Sequence, residues 1–140
     1  MAKVVLERYN ARVPQTTEDA ALVRAWQDVL SCHARVSCSL EKALQHEHGL
    51  GVSEFEVLER LATGGKDECR MQELAGAVHL SQSALSRLIG RLEADGLVHR
   101  AMCPADRRGI YACITPEGRA RYEQARPTHR AVLAATMSVD

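Results

Sequence analysis

The sequence predicts a mostly helical protein that contains one small β-hairpin. Apolar residues recur at steps of three and four over long stretches, which is the period of an amphipathic helix. Aromatic residues make up only 4% of the chain, so an Ala-, Leu- and Val-rich interior favours helix packing over a β-sandwich. Short runs with Val, Ile and Tyr occur together only near residues 97–115, where they flank a charged segment and indicate two strands.

The first part of the chain predicts a polar leader, residues 1–16, followed by a long helical segment, residues 17–50. Thr16 and Thr17 are suitable N-caps, and Glu18 and Asp19 lie where the positive end of a helix dipole favours acidic side chains. A helix of about residues 18–47 then places on one face an apolar stripe of Leu22, Val23, Trp26, Val29, Leu30, Val36, Leu40 and Leu44. Gly49 and Gly51 predict its end.

Residues 52–115 predict three short helices. Ser53 with Glu56 has the spacing of a capping box for the first of them, and Gly64-Gly65 ends it. A second helix covers about residues 72–78. Ser81 predicts the cap of a third helix at residues 82–94, whose inward stripe is Leu85, Leu88, Ile89 and Leu92, and Gly96 predicts its left-handed terminator.

A hairpin and a final helix complete the chain. Strands are predicted at residues 97–103 and 109–115, with a charged tip at residues 104–108. Thr115 and Pro116 are an N-cap and an N1 proline for a helix in residues 116–140. Pro127 predicts a kink rather than an end, because Val132, Leu133 and Met137 continue the apolar stripe.

The two helices joined by His79-Leu80-Ser81 have the arrangement of a helix-turn-helix. If the inward stripe of residues 82–94 is buried, the outward side chains include Gln82, Ser83, Ser86, Arg87 and Arg91. Gln can pair with adenine and Arg with guanine in the major groove, while Ser suits phosphate. This pattern is short, and alone it is equally typical of a solvated surface helix.

The hairpin tip favours the nucleic-acid interpretation. Arg108 on such a tip suits insertion into a narrow minor groove, where negative potential is concentrated. Asp106 is expected to pair with Arg108 and fix its direction, since a carboxylate and a guanidinium hold a defined geometry. A charged tip alone is usually a solvated turn, so the order and spacing of the helices and the hairpin together are the specific signal.

The charge of the chain is compatible with DNA binding through a few individual arginines rather than through a broadly basic surface. The net charge is zero. Through Leu80 there are nine Lys and Arg against twelve Asp and Glu, which gives −3, and from Ser81 onward there are nine against six, which gives +3. The second half is therefore modestly basic, as DNA binding permits.

Other classes find little support in the sequence. No apolar run reaches the roughly 20 residues of a membrane-spanning helix, and the N-terminus lacks the apolar segment of a secretion signal, so a cytoplasmic location without membrane contact is predicted. The chain has no Gly-rich phosphate loop, H-E-x-x-H or G-x-S-x-G motif, so neither enzyme activity nor a cofactor is expected. Five cysteines without a C-x-x-C pair predict neither a disulfide framework nor a metal site.

Two segments carry a resemblance to a known family. Residues 80–100 (LSQSALSRLIGRLEADGLVHR) and residues 106–118 (DRRGIYACITPEG) closely resemble the MarR family of winged helix-turn-helix regulators, including its Asp-x-Arg wing motif at Asp106 and Arg108. The resemblance is strong over about residues 71–121. It implies a transcriptional regulator, most often a repressor, that reads double-stranded DNA with helix 82–94 in the major groove and the tip at 104–108 in the minor groove.

The resemblance also implies an obligate-type homodimer on a palindromic operator, built from the helices of residues 17–50 and 116–140. Family members usually carry a further C-terminal helix that completes the dimer interface, so a sequence that stops at Asp140 is expected to be truncated there or to be a short member of the family. By the same resemblance, Ser81 joins the outward residues of helix 82–94 at the major groove or its phosphates, and Arg100 and Arg107 lie near the DNA backbone.

The sequence allows several alternatives for the signal that would control such a regulator. The resemblance implies a small aromatic or anionic effector, for which the candidate lining residues are Trp26, His33, Arg35, Phe55 and Tyr122. A place in the core is the simpler interpretation of Trp26 and Phe55. Oxidant sensing through cysteine, or zinc sensing near His46 and His48, are alternatives, and a winged helix that binds proteins instead of DNA is another. Unreactive thiols and a polar helix end are the simpler interpretations of these residues.

Overall fold

The computed structural model describes residues 17–102 and 109–137. Five helices and three strands follow one another along these residues: α1 (Thr17–His48), α2 (Val52–Thr63), β1 (Glu68–Arg70), α3 (Met71–Ala77), α4 (Gln82–Ala94), β2 (Val98–Met102), β3 (Ile110–Ile114) and α5 (Pro116–Thr136). The prediction of a mostly helical chain with a small β-sheet is confirmed. Among these residues no helix is long and apolar enough to span a membrane.

The described residues divide into two units between Arg35 and Val36. In the first unit the described residues form the N-terminal part of α1. This part carries five apolar side chains that are 42–68% exposed: Leu22, Val23, Trp26, Val29 and Leu30. The apolar stripe predicted for this helix is therefore buried only in its C-terminal part, at Val36, Leu40 and Leu44.

The core of the second unit is contributed by every element from the end of α1 to α5. Phe55, Leu58 and Leu61 of α2 are at most 1% exposed. They share one cluster with Leu74 of α3, with Leu85 and Ile89 of α4, and with Ala112 of β3. The four residues predicted as the inward stripe of helix 82–94 are all buried. Because α4 buries this stripe, its opposite face lies outward.

The sheet has three strands, not two. β3 lies between β1 and β2 and is antiparallel to both. Val98 pairs with Ile114 and Met102 with Ile110, so the predicted hairpin is present with slightly shorter strands. The prediction missed β1 because its three residues, Glu-Cys-Arg, have no apolar alternation, and it exists only through its pairing with β3.

Two predicted helix ends follow local chemistry, and one predicted helix start does not. Gly49 and Gly96 have positive φ, +65° and +74°, as predicted for left-handed terminators. The predicted capping box at Ser53 and Glu56 is wrong, because α2 starts earlier, with Gly51 as its N-cap. The Gly51 amide donates to Glu54 Oε1 at 3.4 Å, and the Val52 amide donates to Glu41 Oε2 of α1 at 3.0 Å. A carboxylate from another helix thus fixes where α2 begins.

α5 begins as predicted and continues past its internal proline. Thr115 Oγ1 accepts a hydrogen bond from the Gly118 amide at 3.0 Å, and Pro116 occupies the first turn. The helix runs from Pro116 to Thr136 and so does not end before Pro127. Its buried residues, Tyr122, Ala125 and His129, lie at helical spacing on one side.

Candidate nucleic-acid interface

The helix-turn-helix is formed by α3, the turn His79-Leu80-Ser81, and α4. The Val78 and Leu80 amides donate to the carbonyls of Leu74 and Ala75, each at 3.0 Å, which closes α3 and directs the chain into the turn. His79 adopts a left-handed φ of +58°, a conformation that His tolerates better than β-branched residues do. The turn therefore holds α4 against the core by backbone hydrogen bonds and buried apolar contacts.

Ser81 caps α4 as the sequence predicts. Its hydroxyl accepts a hydrogen bond from the Ala84 amide at 3.2 Å and lies 3.3 Å from Ser83 Oγ. One of the free amides at the start of the helix is thereby satisfied, and the remaining amides of the first turn stay at the surface. Such a helix start favours an anionic group, with Gln82 and Ser83 exposed beside it.

The other outward side chains of α4 occupy two flanks. Ser86, Arg87 and Arg91 are all exposed. Arg91 borders a depression of about 430 Å³ that is also lined by Glu41, Gly51 and Glu54. Arg91 thus lies on the side of α4 that faces the end of α1 and the start of α2, whereas Ser86 lies on the side that faces the sheet.

Arg100 of β2 is bound to α4 by four contacts. Its Nη2 donates to the Ser86 carbonyl oxygen at 2.6 Å and to Ser86 Oγ at 3.2 Å. Its Nη1 lies 3.3 Å from Glu93 Oε1, and its backbone amide donates to Glu93 Oε2 at 3.2 Å. The sequence pointed to Arg100 through a family resemblance but gave no indication of Glu93, whose role depends on the close approach of β2 to α4.

The wing tip lies outside the described residues, and with it the predicted contacts of Asp106, Arg107 and Arg108. The strands on either side are described up to the pair Met102 and Ile110. These two apolar side chains are 66% and 50% exposed.

A second set of contacts joins the segments next to the strands with α2 and α5. Arg119 of α5 forms an ion pair with Asp67, and its Nη1 donates to the Ala62 carbonyl oxygen at 3.3 Å. Thr115 Oγ1 donates to the Gly96 carbonyl oxygen at 2.7 Å. A Cβ atom at Gly118 would overlap the Leu97 carbonyl oxygen, so the close approach of α5 to the start of β2 requires glycine there. No local pattern in the sequence indicates this role for Asp67 or Arg119.

The five candidate effector residues fall into two groups. Trp26, His33 and Arg35 belong to the first unit, where Trp26 is 59% exposed and the other two are also exposed. Phe55 and Tyr122 belong to the second unit, where both are core residues with ring centroids 5.5 Å apart. The prediction that Phe55 fills the core is therefore confirmed, whereas the same prediction for Trp26 is wrong.

His129 is a buried polar residue that the sequence analysis missed. Its ring stacks on Phe55 with centroids 4.4 Å apart, and its Nδ1 accepts a hydrogen bond from Arg130 Nη1 at 2.6 Å. Burial, and to a smaller extent the neighbouring Arg130, lower the pKa of this imidazole. The available signal was its spacing of i+7 from Tyr122 and i+4 from Ala125, which places it on the buried side of α5.

The cysteine and metal alternatives receive no support from the described residues. Cys32, Cys38, Cys69 and Cys113 are free thiols. Burial raises the pKa of Cys69 and of Cys113, with help from Glu73 and Glu68 respectively, which disfavours the reactive thiolate. His48 is hydrogen-bonded to Thr128 Oγ1 at 2.8 Å. No three His, Cys, Asp or Glu side chains converge as metal ligands in residues 17–102 and 109–137.

Comparison with solved structures shows the same fold in proteins of one family. AbsC of Streptomyces coelicolor, a MarR family transcriptional regulator, is 33% identical, with a TM-score of 0.78 over 89% of this chain and 81% of that chain. Sco3205 of the same organism, a MarR family regulator solved in complex with DNA, is 29% identical, with a TM-score of 0.80 over 89% of this chain and 76% of that one.

Sequence comparison agrees. The transcriptional regulator YkoM of Bacillus subtilis is 32% identical over 92 residues, which are 66% of this chain and 58% of YkoM, so the match spans about three fifths of that relative. The profile of the MarR family matches residues 48–109, which include α2, the helix-turn-helix and β2. The resemblance noted in the sequence is thereby confirmed, and this chain belongs to the MarR family.

Proposed function

We propose that this chain is a transcriptional regulator that binds double-stranded DNA as a homodimer, with α4 in the major groove and the 104–108 tip in the minor groove. The observation that carries the proposal is the two-sided character of α4. Leu85, Leu88, Ile89 and Leu92 are at most 3% exposed, while Gln82, Ser83, Ser86, Arg87 and Arg91 are exposed on the outward side of the helix. This is how a recognition helix is held and presented.

The finer parts of the proposal have different support. The exposed apolar stripe of α1 suits a helical dimer interface, and a two-fold symmetric dimer would read a palindromic operator. Repression as the mode of action follows the commoner behaviour of the family. Control by a small aromatic or anionic effector near Trp26, His33 and Arg35, and a cytoplasmic location, stay predictions from the sequence.

The proposal is tested by selecting duplexes from a random pool with the full chain and measuring their affinity by fluorescence anisotropy. A dimer should enrich a two-fold symmetric motif whose half-sites are about 10 base pairs apart. Binding should be sub-micromolar and should weaken with salt, since each neutralised phosphate makes the slope of log K against log salt concentration more negative by about 0.9.

Arg87→Ala should weaken binding of the selected duplex by about 1–3 kcal/mol, which is roughly five- to 150-fold, if Arg87 contacts a base edge. Arg108→Ala should weaken it sharply as well. Arg126→Ala is the matched control, because it removes the same charge from an exposed position on α5. Equal affinity for all three variants, or binding that ignores salt, would contradict the proposal and favour a winged helix that binds proteins.

A further inference from the structure

We propose that Glu93 and Arg100 are positioning residues for DNA binding, which lock β2 onto α4 and orient the Ser86 hydroxyl toward the DNA. This proposal refines the expectation that Arg100 contacts the DNA backbone, and it rests on the proposed function. The guanidinium of Arg100 spans the gap between Ser86 and Glu93, which lie two turns apart on α4. One side chain from the sheet is thereby held at two points along the outer part of the helix.

The chemistry of the contact between Arg100 and Ser86 determines which of the two groups donates the hydrogen bond. A guanidinium has only donors, so Ser86 Oγ must accept from Arg100 Nη2, and the Ser86 hydroxyl proton is left for another acceptor. Ser86 is exposed on the outward side of α4. A phosphate oxygen or the acceptor edge of a base in the major groove is such an acceptor. Arg100 therefore prepares Ser86 as a donor toward the DNA.

The contacts of Glu93 hold β2 and the Arg100 side chain rigidly against α4. The carboxylate accepts from both the backbone amide and the guanidinium of Arg100, so it fixes the strand and the side chain at once. Arg100 lies two residues before Met102, where β2 ends and the chain continues toward the tip. The angle between the recognition helix and the strands that lead to the tip is thus set by this contact. Misplacing one relative to the other would cost affinity at both grooves.

The negative charge of Glu93 allows a positioning role to be distinguished from a purely electrostatic effect on DNA binding. The carboxylate of Glu93 should repel phosphate. If Glu93 acted through its charge alone, removal of that charge would tighten DNA binding. As a positioning residue, Glu93 has the opposite effect, because its loss releases Arg100. Asp95, two residues further along, is exposed and provides a matched charge. Asp95→Asn removes the same charge near the same helix end without touching Arg100.

The experiment measures the affinity of wild-type, Glu93→Gln and Asp95→Asn proteins for the duplex selected by wild-type protein, at several salt concentrations. We expect Glu93→Gln to weaken binding by about three- to tenfold, the scale of one charge-assisted contact. Asp95→Asn should leave binding unchanged or tighten it. Tighter binding by both variants would overturn the proposal.

Arg100→Lys provides an independent arm, because it keeps the positive charge but loses the fork that reaches both Ser86 and Glu93. We expect it to weaken binding as much as Glu93→Gln does, with an unchanged salt slope, and the double variant to be no weaker than either single variant. Wild-type affinity for Arg100→Lys, or a salt slope for Arg100→Ala that is smaller by about one, would show a phosphate contact and overturn the proposal. If the wild-type protein enriches no duplex, the proposed function itself fails first.

Discussion

At the scale of single residues, His129 links the core to the surface of α5. Its ring lies on Phe55, and its Nδ1 shares Arg130 Nη1 with Glu59 Oε2, which is 3.1 Å from that nitrogen. Because a guanidinium can only donate, the imidazole must present an unprotonated Nδ1 to Arg130. Protonation of His129 would therefore displace Arg130 and place a charge in the core.

The lowered pKa of His129 predicts a specific pH dependence of stability. Below the unfolded value of about 6.5 the unfolded chain binds a proton at this residue and the folded chain does not, so the free energy of unfolding decreases as the pH falls. The loss continues until the pH reaches the folded pKa, and above about 6.5 this residue contributes no pH dependence.

Urea unfolding between about pH 5 and 7.5 checks this expectation. His129→Phe keeps a ring to stack on Phe55 and removes the titrating group, so its stability should depend less on pH than that of the wild-type protein. His99→Gln, at an exposed position on β2, is the control and should follow the wild-type profile. Identical profiles for wild-type protein and His129→Phe would contradict the assignment.

At the scale of elements, the junction between the sheet and α5 depends on Gly118. It is buried at the first turn of α5, and an added Cβ would overlap the Leu97 carbonyl and lie 2.9 Å from Ile114 Cγ1. Leu97 directly precedes β2, and Ile114 is the last residue of β3. A backbone carbonyl at this position cannot rotate away as a flexible side chain would. The contact therefore requires glycine, although the helical setting would otherwise favour alanine.

Gly118→Ala should destabilise the chain by about 1–3 kcal/mol, the usual cost of overpacking, or by more if α5 must shift. Gly90→Ala is the matched control, because a Cβ in the interior of α4 would meet nothing within 4 Å. That change should stabilise the chain by about 0.5–1 kcal/mol through helix propensity. Denaturant unfolding of both variants distinguishes them by the sign of the change, and a neutral Gly118→Ala would refute the packing argument.

At the scale of the whole molecule, the proposed assembly depends on the exposed apolar residues of α1. Leu22 and Trp26 are 68% and 59% exposed and lie one turn apart, with Val29 at the next turn. An exposed stripe of this kind marks an interaction site more often than a solvated surface. A second copy of the chain is the partner that we propose for it.

Trp26→Gln should shift the protein toward monomer in sedimentation or light-scattering measurements and should weaken operator binding, since each protomer then reads its half-site alone. Arg24→Gln lies on the polar side of the same helix and is the control. A wild-type protein that is monomeric at all concentrations, or a Trp26→Gln variant that dimerises as the wild type does, would contradict this interface.

The sequence by itself determined the elements whose causes are local. Ser81, Thr115 and Gly96 mark helix ends through groups within one turn, and the four buried residues of α4 follow from its period. The sequence also located the helix that we propose as the recognition helix, through a family motif that is continuous along the chain.

Only the tertiary structure decided the features that join residues far apart in sequence. β1 exists through pairing with β3, some 45 residues later, and α2 begins where Glu41 of α1 reaches it. The sequence placed Arg100 near the DNA backbone through a family resemblance, and only the packed structure showed its contacts with Ser86 and Glu93. Periodicity and caps depend on neighbouring residues, whereas a carboxylate or guanidinium contact depends on which elements the packed core brings together. For that reason the helix that we propose to read DNA was predictable from sequence, and the residues that hold it in place were not.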